Sequence, residues 1–109
     1  MEIKTFTENG RVPVTVIHVD GDLDSSTYEA FQTQVDDLID TDARFILLDL
    51  SHTKFVSSAG LRVLLSAAKR LSSKLRVCGL NETVQEVFDI SGFTSIFEVY
   101  DSEQLGLDG

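Results

Sequence analysis

A chain of 109 residues is expected to hold a single domain, 1–109, whose modest core leaves few apolar side chains to spare from packing. Hydrophobic residues at 42% and charged residues at 25% are ordinary for a globular protein, whereas 18 acidic against 9 basic residues give a net charge of −9. That balance opposes contact with nucleic-acid phosphates and acidic membrane surfaces, and suits a basic protein partner.

Strand and helix signals alternate along the chain. Ile3 to Thr7 reads as a short strand, Glu8-Asn9-Gly10 as a turn, and Val12 to Val19 as a second strand with Val12, Val14, Val16 and His18 on one face. Pro13 lacks an N–H and belongs at the start or edge of that strand. The two strands are expected to form a hairpin. After the loop Gly21-Asp22-Leu23-Asp24-Ser25-Ser26, Ser26 and Glu29 have capping-box spacing, and Tyr28, Phe31, Val35, Leu38 and Ile39 repeat at helical spacing. Phe45 to Leu48 is a continuous apolar run, which suits a strand covered on both faces. Leu61, Leu64, Leu65, Ala68 and Leu71 form the stripe of a second helix, and Leu75 and Val77 mark a strand closed by Gly79. Asn81 can cap a third helix carrying Val84, Val87 and Phe88, which stops near Gly92; Ile96 to Tyr100 is a last strand, and the tail can add a short helix. The order predicts an α/β fold. Its small mixed β-sheet begins with a hairpin and continues with alternating helices and strands joined by right-handed crossovers.

The junction between Phe55-Val56 and the helix beginning near Ala59 carries the most chemistry. Ser57 and Ser58 sit at a helix N-terminus, where unpaired N–H groups and the helix dipole favour negative charge. Two uses are open: a hydroxyl there can simply cap the helix, or it can accept a phosphate of about −1.5 to −2 charges. Gly60 is expected to expose backbone and let another surface approach. Asp22 and Asp24 flank Leu23 as paired carboxylates, and without His or Cys at ligand spacing they read as a solvated capping turn, not a metal site. His18 reads as a half-buried strand histidine. His52, placed in a loop near Ser58, could imitate a hydrolase triad, but Gly-x-Ser-x-Gly is missing. No phosphate-binding Gly-rich loop with Lys-Ser/Thr occurs, so any ATP would come from a partner, and no cofactor is expected. Arg62, Lys69 and Arg70 give the second helix a basic exposed side, and Val63, off the stripe, reads as an exposed valine that is either an interface anchor or an ordinary surface residue. Cys78 is read as a buried, inert thiol. A lone cysteine forms no internal disulfide, no apolar run reaches the about 18 residues of a membrane helix, and no signal peptide is evident, so the cytoplasm is expected.

Four segments together resemble the STAS domain family, shared by bacterial anti-sigma factor antagonists and the cytoplasmic tails of sulphate transporters. Gly21-Asp22-Leu23-Asp24 is similar to the family's Gly-Glu-Leu-Asp, and Asp49-Leu50-Ser51 closes the run from Phe45 like the family's Asp-Leu-Ser. Phe55-Val56-Ser57-Ser58-Ala59-Gly60-Leu61 is similar to the family's aromatic-hydrophobic-Asp-Ser-Ser/Thr/Ala-Gly-Leu, and Phe88-Asp89-Ile90-Ser91-Gly92-Phe93 resembles the segment before the family's final strand.

The resemblance implies a non-enzymatic switch. In family antagonists the serine two residues before the glycine, here Ser58, is phosphorylated by a partner that is both serine kinase and anti-sigma factor. The unphosphorylated form binds that partner, and a phosphatase restores it. Asp24 matches a family carboxylate near that serine. Asp22, Asp24, Ser57, Ser58, Ala59, Gly60, Arg62 and Val63 are thus the expected partner-binding residues. One departure matters: Ser57 replaces the family's aspartate, so Ser57 ranks second as acceptor and a silent site third. The alternative reading is a non-phosphorylated scaffold or transport-complex subunit.

Overall fold

The computed structural model describes residues 2–9, 12–41, 44–71 and 75–109. Five strands form one sheet in the order β1-β2-β3-β4-β5: β1 (Glu2–Asn9), β2 (Pro13–Asp20), β3 (Ile46–His52), β4 (Arg76–Cys78) and β5 (Glu98–Tyr100). The first pair is the expected antiparallel hairpin, and the other three pairings are parallel. Pro13 opens β2 opposite Asn9, where its missing N–H costs least. Glu8 and Asn9 extend β1 and are not turn residues; Gly10 of the expected turn lies outside the described residues.

Between the parallel strands run α1 (Tyr28–Asp40), α2 (Ser58–Arg70) and α3 (Glu82–Ile90), and α4 (Glu103–Asp108) ends the chain. Because the parallel strands advance one place at a time, crossovers of one hand put α1, α2 and α3 on the same face. The core confirms this. Ile17 and Val19 of β2, Ile46, Leu48 and Leu50 of β3 and Val77 of β4 meet Phe31, Val35, Leu64 and Phe88 from the three helices. Each such buried side chain contributes about 1.5–3 kcal/mol. Phe88, Phe93 and Phe97 close one end with edge-on ring contacts of 5.0–5.7 Å.

The alternate residues face the other way, onto α4. Val14, Val16, Leu47, Cys78 and Leu107 form this smaller layer. Burial, reinforced by the Asp49 and Glu103 carboxylates, pushes the Cys78 thiol up to about 12, so it stays protonated and unreactive. Arg76, almost fully buried, lies over the Phe45 ring and donates to the Gly106 carbonyl. His18 is half-buried on this face, as expected, and its Nε2 meets Glu103 of α4 and Asp49 of β3.

Two helix expectations change. The N-cap of α1 is Thr27, and Ser26 makes no capping box: its hydroxyl and N–H both go to the Asp24 carboxylate. Val63 is not an exposed anchor; it is 5% exposed and belongs to the core, because the buried arc of α2 runs through Ala59, Gly60, Val63, Leu64 and Ala67. Arg70 is not a free basic patch either, since it bridges Asp36 and Asp40 of α1 at 2.6 Å each. Among the described residues, no helix is long and apolar enough to cross a membrane.

Candidate functional site

Two loops leave the carboxyl ends of the adjacent parallel strands β2 and β3, a common place for sites in parallel sheets. The first is 21–27 and the second 53–57. They are stitched together by an isolated parallel bridge between Leu23 and Val56. Leu23 N–H donates to Phe55 O at 3.1 Å, and Ser57 N–H donates to Leu23 O at 2.7 Å. The bridge sets Asp22 and Asp24 beside Phe55 and Ser57.

The two aspartates do different work. Asp22 Oδ1 accepts the N–H groups of both Lys54 and Phe55 at 3.1 Å, so it pins the serine loop and is not a free contact group. Asp24 Oδ1 accepts from the Ser26 hydroxyl at 2.7 Å and the Ser26 N–H at 2.9 Å. Those bonds, the hydroxyl first, hold its carboxyl below the usual range, so it keeps its negative charge at neutral pH beside Ser57. Thr27 adds a brace by donating to the Asp22 carbonyl at 2.7 Å.

Ser57 is the N-cap of α2. Its Oγ accepts the Gly60 N–H at 3.3 Å, and its backbone carbonyl takes the Leu61 N–H at 2.9 Å. Ser58 is the first helical residue and is exposed, and its hydroxyl has no hydrogen-bond partner among the described residues. Ser57 thus fills the capping use and Ser58 presents a free hydroxyl. Gly60 does not open backbone to an outside surface. It is buried, and a Cβ there would stand 2.9 Å from Leu23 Cβ and 3.0 Å from Leu23 O, so its smallness lets the first loop lie against α2. Ala59 is also mostly buried.

Around Ser58 the open surface consists of Phe55, 47% exposed, with Lys54 and Arg62. A shallow recess of about 270 Å³ lies between α1 and α2, lined by Tyr28, Gln32, Ala59, Arg62, Val63 and Ser66. Val63, though buried, contributes to the lining of this recess. His52 is the last residue of β3, opposite Asp20, and does not sit in a loop; among the described residues no hydrogen bond joins it to Ser58, and no triad forms.

Two braces went unread in the sequence. Asn81 caps α3 through Oδ1, as expected, but its amide also donates to the Thr53 and Lys54 carbonyls at 3.4 and 3.2 Å, tying the serine loop to α3. A capping asparagine keeps two N–H donors, so the signal was in its chemistry. Buried Thr53 donates to Val19 O at 3.3 Å; nothing in its spacing marks it.

The chain is similar to known proteins along most of its length. The STAS domain model matches residues 4–106. An anti-sigma F factor antagonist of Paenibacillus polymyxa is 32% identical over 94 residues, covering 83% of this chain and 80% of that protein. A candidate anti-sigma factor antagonist of Bordetella bronchiseptica, BtrV, is 40% identical over 87 residues, covering 77% and 75%. Among solved structures, the Bacillus cell fate determinant SpoIIAA in its phosphorylated form superposes with a TM-score of 0.71 at 18% identity, covering 98% of this chain and 97% of that one.

Proposed function

Because the chain belongs to the STAS domain family, we propose that it is an anti-sigma factor antagonist of the cytoplasm, switched by phosphorylation of Ser58. The observation that carries the choice of residue is the division of labour at the α2 N-terminus: Ser57 holds the cap, while the Ser58 hydroxyl is exposed and has no hydrogen-bond partner among the described residues. Modifying Ser57 would cost the cap; modifying Ser58 costs no hydrogen bond among the described residues.

The switch works through charge. A phosphate on Ser58 adds about −1.5 to −2 charges next to Asp24, on a surface shaped by Phe55, Arg62 and the α1–α2 recess. The helix N-terminus offsets part of that charge, by about 0.3–1 kcal/mol, so α2 persists and only the outward face changes. A partner fitted to the neutral hydroxyl then loses its fit. The phosphate comes from an anti-sigma factor that is also a serine kinase, and a phosphatase removes it; the chain itself contributes a binding surface and no catalysis.

Intact-mass measurement after incubation with ATP and the cognate kinase tests this reading. One added phosphate, lost in Ser58→Ala and kept in Ser57→Ala, is expected. Phosphate that remains in Ser58→Ala, or none with a kinase shown to bind the chain, overturns the switch. Ser58→Asp is expected to weaken binding to the anti-sigma factor at least tenfold.

A further inference from the structure

The face of the sheet away from the serine loop carries a second cluster of functional groups. Lys4, His18, Asp49, Cys78 and Tyr100 are successive cross-strand partners, one from each of the five strands, and so form a row beneath α4. At its middle, His18 Nε2 meets Asp49 Oδ2 at 3.5 Å and, from α4, Glu103 Oε1. The three atoms lie within 4.8 Å of one another.

His18 Nε2 makes its hydrogen bond to Glu103, and the Asp49 carboxylate approaches the same nitrogen at 3.5 Å. One ring nitrogen serves a single hydrogen bond, so the second carboxylate oxygen facing Nε2 has no hydrogen bond from it. An imidazole nitrogen and two carboxylate oxygens converging from three elements form a donor set of the kind that holds a divalent cation. Two ligands of a tetrahedral zinc ion at about 2.0–2.1 Å are about 3.3 Å apart, and Nε2 and Asp49 Oδ2, 3.5 Å apart, already have nearly that spacing. Glu103 Oε1, by contrast, touches Nε2 directly and has to swing outward to admit an ion.

The surroundings have the features that a metal site needs. Asp49 is aimed by outer hydrogen bonds: its Oδ1 accepts the Ser51 hydroxyl at 2.6 Å and the Ser51 N–H at 3.0 Å, which leaves Oδ2 toward His18. The Phe6 ring, edge-on at 4.9 Å, sets the imidazole plane. Lys4 does not neutralise the carboxylates, since its ammonium faces Glu2 at 3.6 Å in solvent. Side-chain exposures of 41% for His18 and 32% for Glu103 leave an entry path and room for a water ligand.

We propose that His18, Asp49 and Glu103 bind a zinc-class divalent transition metal that clamps α4 to the sheet. One imidazole with two carboxylates suits such an ion better than magnesium, which prefers oxygen donors and retains its water. Three elements far apart in sequence supply the ligands, so binding stabilises the folded chain.

Calorimetric titration of the full chain with zinc sulfate tests the site. One ion per chain is expected, with a raised unfolding temperature, and magnesium at the same concentration leaves that temperature unchanged. His18→Gln and Glu103→Gln each weaken binding at least tenfold while circular dichroism shows a retained fold, and His52→Gln leaves binding unchanged. Ser51→Ala weakens it about tenfold. Cobalt substitution gives visible d–d bands without a thiolate charge-transfer band. No zinc binding, binding that survives both ligand variants, loss in His52→Gln, a preference for magnesium, or a thiolate band from Cys78 each overturns the proposal.

Discussion

The loops that open α1 and α2 are built from the same kinds of residue and use them in opposite ways. Before α1, the side chains of Asp24, Ser26 and Thr27 are tied to one another and to the Asp22 carbonyl, and no side chain caps the helix. Before α2, Ser57 alone provides the cap, and Ser58 has nothing to hold. A hydroxyl-rich helix start therefore does not by itself mark a site. The candidate site is the start at which one hydroxyl is left over among the described residues, and the α1 loop serves as the wall that fixes its position.

The wall is broken most severely at its closest contact. Gly60→Ala places a methyl group 2.9 Å from Leu23 Cβ and 3.1 Å from Val56 Cγ1, and neither neighbour is a flexible chain end. Overpacking of this kind costs about 1–3 kcal/mol, against a helix-propensity gain of about 1 kcal/mol over glycine. A lower urea midpoint is expected, and a midpoint at or above wild type would show that the two loops are not in tight contact.

Asp22→Ala comes next. It strips the acceptor from two backbone N–H groups of the serine loop, Lys54 and Phe55. Hydrogen bonds to a charged acceptor are worth about 1.5–3 kcal/mol, and partial exposure of this loop lowers the expected loss to about 1–2 kcal/mol. Amide exchange of Lys54 and Phe55 should accelerate together in this variant, while that of β4 stays slow. Unchanged exchange at both amides would remove Asp22 from the brace.

The strands and their faces were legible in the sequence, because alternation is enforced by burial on both sides of the sheet. Ile17 and Val19 go to one layer and Val14 and Val16 to the other, as their spacing requires. The candidate site could be placed from the sequence, but not its internal hydrogen bonds. Ser26 and Glu29 have the spacing of a capping box, yet Asp24, two residues earlier, captures the Ser26 hydroxyl, and a local carboxylate outcompetes a helix N–H. Val63 was misread because large side chains were used to locate the stripe of α2. Its closest packing runs instead through Ala59, Gly60 and Ala67, whose small size lets α2 approach its neighbours and turns Val63 inward. The His18 cluster gave no sequence signal, since its three residues meet only when β2, β3 and α4 assemble.

The smallest expected effect on stability divides the two serines most sharply. Ser57→Ala removes the cap of α2 and should cost about 1 kcal/mol, seen as a lower urea midpoint with an unchanged slope. Ser58→Ala removes an exposed hydroxyl without a partner among the described residues and should stay within about 0.5 kcal/mol of wild type. If Ser58→Ala cost as much as Ser57→Ala, its hydroxyl would be a structural group, and a phosphate there would disturb the fold as well as the surface. A near-zero cost means instead that the folded state leaves the Ser58 oxygen free, so charge can be placed there and taken away while the α2 cap and the bridge between the loops stay intact.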